Sequence, residues 1–438
     1  MHRARPLAAA LALLLAASLP FPATSSKVLA ILASDSIKSS HSQFFDGLAS
    51  AGLDVTFKLA SDPVKLRDWD TWLYDHMVIF APRAKAFGEG VGVRDVLDFI
   101  DAGHDLLLAA GPDQSSRVSE LAAECGVDLD APGTMVHDHI SFADCKLESP
   151  KGASTLVVAS HAVDSGAILG RMAEGGRLKA PVVFRGVAAT VPRESELVTV
   201  ALTASGTAYS HGPGFQMPDP PQLIAGREVA LASLMQAKNN ARVAVLGSMD
   251  MFSNEFFEMA FKVWGSGEGH KQPGNREFCQ RVAEWTFQRS GVLRASAPRH
   301  WEAGSKDQPA TYRVDADIHF EIDIAEFKDG QWGPFESDQI QVEYVMMDPY
   351  IRKTLSHDGN GTFYADFKAP DVYGVFKFVI DYMGTGYSYL AISEQAPLRP
   401  FRHDEYERFI LSAYPYYASC FSMMIGFFLL GFLYLYHK

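Results

Sequence analysis

Ser34, Asp35 and Ser36, with His41 close behind, and later Ser248 with Asp250, are the residue types of nucleophilic catalysis. A serine hydroxyl attacks a carbonyl only when an imidazole takes its proton and a carboxylate orients the ring. Asp35, His41 and Ser248 compose such a set on paper, which would make the chain a hydrolase. The competing reading is loop chemistry, since Ser and Asp beside strand ends also bond the nearby backbone. There is no G-x-S-x-G elbow to present a nucleophile. His137-Asp138-His139 offers metal-ligand types without a third ligand at a known spacing. No G-x-G-x-x-G follows the first apolar run, and there is no P-loop; Phe87-Gly88-Glu89-Gly90-Val91-Gly92 is glycine-rich but out of frame. The turn Ala109-Ala110-Gly111-Pro112-Asp113 lacks the cysteine of a glutamine amidotransferase. The expectation is no catalytic residue, no bound cofactor and no metal.

The elements that would position these groups alternate. Val28-Leu29-Ala30-Ile31-Leu32 is a buried-strand run, and Phe44, Phe45 and Leu48 follow at helical spacing. Strands are expected at 55–59, 77–80 and 106–109, and helices at 93–102 and 115–124. That order predicts an α/β fold with a parallel, doubly wound sheet, which binds ligands at the carboxyl ends of its strands. Val243-Ala244-Val245-Leu246 reads as a late strand of the same sheet, and 277–289 as a closing helix. Between them, over about 141–228, the helical pattern fades into a β-rich insertion or lobe with strands at 156–159 and 197–202. After about residue 293, alternating segments at 317–324, 339–345, 361–367 and 375–382, separated by Asp-Gly and Gly-Thr-Gly turns, predict a β-sandwich over 293–398.

The termini suggest a compartment. Residues 1–25 read as a signal peptide: a basic start, an apolar run of 13 residues, then Ala23-Thr24-Ser25 before the cut. Residues 416–436 are 21 positions without a charge, about 31 Å of helix and enough to span a bilayer. Tyr414, Tyr416 and Tyr417 at one end, with Tyr434 and Tyr436 at the other, form an aromatic belt. The expected organisation is therefore a lumenal α/β region over 26–292, the sandwich, a connector over 399–413, a membrane helix over 414–436 and a short cytosolic tail. That is single-pass type I topology. Ala418, Ser422 and Gly426 recur every four residues and suit close packing of a second helix, although small residues are also common in any membrane helix.

The net charge of −13 argues against nucleic-acid partners. Asn360-Gly361-Thr362 is a glycosylation sequon. Of four cysteines, Cys125 and Cys145 could pair in an oxidising lumen, Cys279 stands apart and Cys420 falls in the apolar span.

Several long strings carry a family resemblance. They include Leu73-Tyr74-Asp75-His76 running to Ile79-Phe80-Ala81-Pro82, and Gly247-Ser248-Met249-Asp250-Met251-Phe252-Ser253-Asn254-Glu255-Phe256-Phe257. Trp285-Thr286-Phe287, Gly291-Val292-Leu293-Arg294 and Asp371-Val372-Tyr373-Gly374-Val375-Phe376 continue the order. Ser412-Ala413-Tyr414-Pro415-Tyr416-Tyr417-Ala418-Ser419 leads to the C-terminal Tyr436-His437-Lys438. In these strings the chain resembles the 48 kDa subunit family of the endoplasmic-reticulum oligosaccharyltransferase. The resemblance implies an amidotransferase-like α/β region followed by β-rich domains. It implies an accessory, non-catalytic subunit in the endoplasmic reticulum membrane, partnered by a multi-span catalytic subunit that carries the metal. The complex moves a preassembled glycan from dolichyl diphosphate to Asn of N-x-Ser/Thr. Two rival expectations remain: a lumenal membrane-anchored hydrolase using Asp35, His41 and Ser248, and a cargo or glycan receptor using an aromatic surface around Tyr382 to Tyr389.

Overall fold

The computed structural model describes residues 26–145, 153–212, 224–328, 330–406, 408 and 410–437; the signal-peptide reading of 1–25 lies outside them. The chain divides into two compact units. The first comprises Met1–Arg294 with Ala325–Phe335 and Tyr382–Leu390, and the second Ala295–Ile324, Glu336–Asp381 and Ala391–Lys438.

The first unit begins with β1 (Ser26–Leu32), the short helix α1 (Ser36–Ser40), α2 (Ser42–Ser50), β2 (Leu53–Leu59), β3 (His76–Phe80), α3 (Val93–Asp101), β4 (Asp105–Ala109) and α4 (Ser116–Glu124). Val28 to Leu32 are fully buried, as expected of a strand covered on both faces. Val28, Ala30 and Leu32 pack toward Phe44, Phe45 and Leu48, while Leu29 and Ile31 pack toward Val96, Phe99 and Leu121. Alternate residues of one strand thus feed two hydrophobic layers, and each large side chain buried this way contributes about 1.5–3 kcal/mol. Helix boundaries follow local chemistry. The Asp95 carboxylate accepts the Gly92 N–H at 2.7 Å at the start of α3, and the Ser115 hydroxyl accepts the Val118 N–H at 3.4 Å at the start of α4.

The region after α4 contributes β5 (Val157–Ala162), β6 (Arg177–Phe184), β7 (Val198–Thr203) and β8 (Ala230–Gln236) before β9 (Arg242–Leu246). β2, β1, β3, β4 and β9 are parallel neighbours in that order. From β9 the same sheet continues antiparallel through β8, β7, β5 and β6. The β-rich stretch is therefore an antiparallel wing of the main sheet. β6 and β8 have no counterpart in the sequence reading. The short helix α5 (Asn254–Glu258) follows β9, and α6 (Asn275–Thr286) closes the layer over β1 with Phe278, Val282 and Trp285.

The segment Tyr382–Leu390 joins this unit through backbone groups. Trp285 Nε1 donates to the Gly386 carbonyl at 2.7 Å, Gln236 Nε2 to the Tyr387 carbonyl at 2.6 Å, and the Tyr389 N–H to Asn240 Oδ1 at 2.7 Å. Tyr382 is buried, and Tyr387 meets Phe335 edge to face. Of the rings in the expected aromatic surface at Tyr382 to Tyr389, Tyr382 is buried, whereas Tyr387 and Tyr389 are half-buried.

The second unit holds the first eight residues of β10 (Asp317–Lys328), which pairs antiparallel with β13 (Thr362–Lys368). A second sheet places β11 (Gln341–Val345) between β12 (Pro349–Thr354) and β14 (Lys377–Tyr382), with β15 (Leu390–Gln395) beyond. Ile318, Phe320, Ile322 and Ile324 alternate inward on β10. The two sheets meet through Phe320 and Phe378, with ring centroids 4.9 Å apart, and through Tyr344 and Phe367 at 5.8 Å. Asn360 is exposed in the turn between Asp358 and Gly361, its N–H donating to Asp358 Oδ1 at 2.8 Å. α7 (Tyr414–Tyr436) lies within the stretch Leu411–Tyr436, whose mean hydropathy of 2.0 over its apolar window makes it long and apolar enough to cross a membrane.

Cys125 and Cys145 are free thiols, which corrects the expected disulfide. Cys125 ends α4 inside the layer of Val118 and Leu121, whereas Cys145 packs against a separate cluster with Leu156 and Val158. Burial also pushes the Cys125 thiol up to about 12, away from the thiolate that disulfide exchange needs.

Candidate functional site

The parallel strands run in the order β2-β1-β3-β4-β9, so the chain changes direction of travel between β1 and β3. Loops leaving neighbouring strands diverge there and open a crevice at the carboxyl ends. A cavity of about 510 Å³ occupies that place. Ala33, Ser34 and Ser36 reach it from β1, Pro82 and Arg83 from β3, Gly111 and Asp113 from β4, and Met249 and Asp250 from β9.

The floor is built by a close backbone crossing. The Val187 N–H donates to the Gly247 carbonyl at 2.9 Å, and the Ser248 hydroxyl donates to the Arg185 carbonyl at 2.6 Å. A Cβ on Gly186 would overlap the Gly247 carbonyl oxygen, and one on Gly247 would overlap the Val187 carbonyl oxygen, so only glycine fits either position. This crossing aims Arg185 along the cleft. Its Nε donates to Asp250 Oδ2 at 2.8 Å and its terminal nitrogen lies 2.7 Å from the same oxygen. Its guanidinium carbon stands 5.4 Å from the centre of the Phe256 ring. Across the cleft Arg83 pairs with Asp113.

The expected catalytic set is not assembled. His41 Nε2 donates to the Met249 carbonyl at 3.3 Å, leaving Nδ1 to accept from the Ser40 hydroxyl at 2.8 Å. Burial lowers the His41 pKa, against smaller raising effects from the Met249 carbonyl and Asp250, so the ring is neutral near pH 7. Ser248 is fully buried with its proton committed to Arg185, and Asp35 is exposed and paired with Lys38 at 2.8 Å. Each member is engaged elsewhere, and no nucleophile–base–carboxylate relay forms.

The His137-Asp138-His139 turn also resolves into structural bonding. The buried Asp138 carboxylate accepts from the Ser205 hydroxyl, from Thr207 Oγ1 at 2.9 Å and from the N–H groups of Ile140 and Ser141 at 2.8 and 2.9 Å. His139 Nε2 bonds the Tyr209 hydroxyl at 2.9 Å. Among the described residues no group of three or more His, Cys, Asp or Glu side chains could hold a metal ion. Arg185 and Arg83 went unnoticed in the sequence; arginines following apolar runs were the signal available.

Comparison with known proteins covers almost the whole chain. The family described as OST48, N-terminal domain, matches residues 20–289, and the OST48 middle domain matches residues 300–438. A dolichyl-diphosphooligosaccharide–protein glycosyltransferase 48 kDa subunit from Arabidopsis thaliana is 43% identical, the match covering 95% of this chain and 94% of that one. Proteins of the same name from Danio rerio and Drosophila melanogaster are 38% and 36% identical, covering 94% and 95% of this chain and 92% of each relative.

Proposed function

This chain belongs to the oligosaccharyltransferase 48 kDa subunit family, and we propose that within that complex it serves as a non-catalytic accessory subunit. As a subunit of the complex it is associated with the endoplasmic reticulum membrane. The observation that supports a non-catalytic role is the dispersal of Asp35, His41 and Ser248 into separate structural bonds. In this reading the chain supports assembly and efficient transfer of a preassembled glycan from dolichyl diphosphate to Asn of N-x-Ser/Thr, while a multi-span partner supplies the chemistry.

The apolar α7 suits a single membrane crossing, with both folded units in the lumen and the segment before it as a juxtamembrane connector. The Ala418, Ser422 and Gly426 face would pack against a partner helix; a Cβ on Gly426 meets open space within this chain. The parallel order β2-β1-β3-β4-β9 is compatible with the amidotransferase-like α/β region that the family resemblance implies. Lumenal placement would also expose Asn360 to glycosylation.

The test is a mild-detergent purification of the internally tagged full chain, with glycan transfer assayed from a lipid-linked donor to an N-x-Thr peptide. Activity with co-purifying subunits, unchanged when His41 is replaced by Gln, supports the accessory reading. Activity from the isolated chain overturns it. A stable isolated chain without partners or transfer also overturns it, in favour of a hydrolase or receptor.

A further inference from the structure

We propose that two apolar loops at one end of the second unit dip into the headgroup region of the bilayer, as a footing on a zwitterionic lipid surface beside α7. The footing depends on α7 crossing the membrane, as read above.

The turn between β11 and β12 and the segment 371–376 before β14 lie side by side. Val345 ends β11 opposite Lys377 at the start of β14. Met346 then packs on Gly374, where an added Cβ would lie 2.5 Å from its sulfur. The two loops expose Met347 at 88%, Tyr373 at 66% and Val375 at 64%, flanked by Tyr350 and Val372. One exposed valine or methionine is ordinary, but five apolar side chains on adjoining loops make a patch that marks a contact. The patch has a fixed base. Phe376 is fully buried, stacks on Tyr344 with ring centroids 4.7 Å apart, and meets Tyr350 edge to face at 5.2 Å.

The chain leaves for the membrane from this same end of the sheet. After β15 the Ala396 N–H donates to the Phe376 carbonyl at 2.9 Å. Leu398 and Gly374 then exchange two backbone hydrogen bonds of 2.8 and 3.0 Å. Arg399 holds the Glu405 carboxylate through two bonds of 2.6 and 2.7 Å. From Glu405 to Leu411, where the apolar stretch begins, the chain can reach about 20 Å at most. A tether that short, clipped to the strand that bonds Gly374, keeps the loops close to the bilayer surface. Tyrosine is a residue type of that surface, and Tyr414, Tyr416 and Tyr417 stand at the start of α7. The charges bordering the loops are Asp348, Asp371 and Lys377, not the basic cluster that anionic lipid recruits. Attachment therefore comes from apolar insertion. The tether delivers this end of the sheet to a bilayer whether or not another chain is present, which favours lipid over protein as the occupant.

The experiment reconstitutes the complex in phosphatidylcholine nanodiscs that include a phosphatidylcholine with a diazirine on the acyl carbons nearest the glycerol. Photolabelled peptides are mapped by mass spectrometry. The expected result is lipid on peptides covering 346–350 and 371–376 as well as on α7. The turn at Asn360, which follows the far end of β12, should stay clean. Val375→Asp should cut loop labelling about tenfold, the loss of one buried apolar side chain, and leave α7 labelling unchanged. Recovery of the variant with its partner subunits shows that it folds. Where it does not assemble, Tyr373→Ser is read in the same way, and the parental labelling decides by itself. Labelled α7 with clean loops sinks the footing alone. Cross-links from clean loops to another subunit do the same and assign the patch to a protein contact. Equal labelling of the loops and the Asn360 turn, or loop labelling that neither substitution lowers, also overturns the footing. Labelled loops with a clean α7 sink the membrane-crossing reading alone, and loops and α7 both clean sink both.

Discussion

Replacing Arg242 with methionine is expected to cost the first unit about 3–5 kcal/mol of stability. Arg242 is fully buried at the start of β9. Its guanidinium donates to three main-chain carbonyls, those of Trp285 at 2.7 Å, Ser290 at 2.6 Å and Gly291 at 2.8 Å. It also lies 4.7 Å from the centre of the Trp285 ring. Burial depresses the guanidinium to about 10, partly offset by Asp105, so it stays charged at neutral pH. Hydrogen bonds from a charged donor are each worth about 1.5–3 kcal/mol, so three give a gross gain of roughly 4.5–9 kcal/mol. Desolvating the cation cancels several kcal/mol of that. Methionine would keep the packing of the stem, avoid the desolvation cost and strand all three carbonyls. The net is the 3–5 kcal/mol typical of breaking a buried charged contact. Lysine, with one ammonium and no planar fork, should recover only part of the loss. The assay is urea unfolding of the full chain in mild detergent, followed by far-ultraviolet circular dichroism. With a slope of about 3 kcal/mol per molar, the first transition should move down by about 1–1.7 M. A shift worth less than ~1 kcal/mol, or a gain in stability, would refute the reasoning by showing that the carbonyls find other partners or that desolvation dominates.

Other substitutions probe the remaining arguments. Gly247→Ala should destabilise the cleft floor by about 1–3 kcal/mol, because its Cβ must push the Val187 carbonyl aside; a melt unchanged from the parent would rule out that close crossing. His41 and His300 are both buried, with pKa values lowered from 6.5 chiefly by desolvation. The unfolded chain therefore binds protons that the folded chain refuses, and stability should fall as pH drops below 6.5 toward the folded-state values. Replacing either histidine by Gln should flatten that dependence in denaturation curves taken between pH 7 and 5; unaltered slopes would contradict it. Gly426→Leu should reduce recovery of partner subunits about tenfold while Met424→Leu does not, measured by quantitative pull-down. Equal recovery in both would exclude the small-residue face as a contact.

Several features were legible in the residues because local pattern alone dictates them. Five apolar residues in a row at Val28 to Leu32 have nowhere to go but the middle of a sheet. The inward alternation of Ile318, Phe320 and Ile322 can be satisfied only by a strand with one covered face. The uncharged run ending at Tyr436 can only be a long apolar helix. The long strings quoted above were enough to identify the family.

Long-range geometry decided the rest. β6 and β8 carry short apolar runs without a helical or alternating period, and their place in the sheet depends on partners distant in the chain. Arg242 sits in an otherwise apolar strand, and nothing local reveals that three carbonyls from the end of α6 and beyond converge on it. Asp35, His41 and Ser248 have the right types for catalysis, but hydrogen-bond direction is set by whichever backbone group folding brings closest. For Ser248 that group is the Arg185 carbonyl, 63 positions away. Cys125 and Cys145 look pairable by count, yet folding seats them in different hydrophobic clusters. Local periodicity specifies which residues must leave water. Which polar groups then meet depends on chain segments far apart in sequence, so only the assembled tertiary structure determines the cleft and its arginine–aspartate pairs.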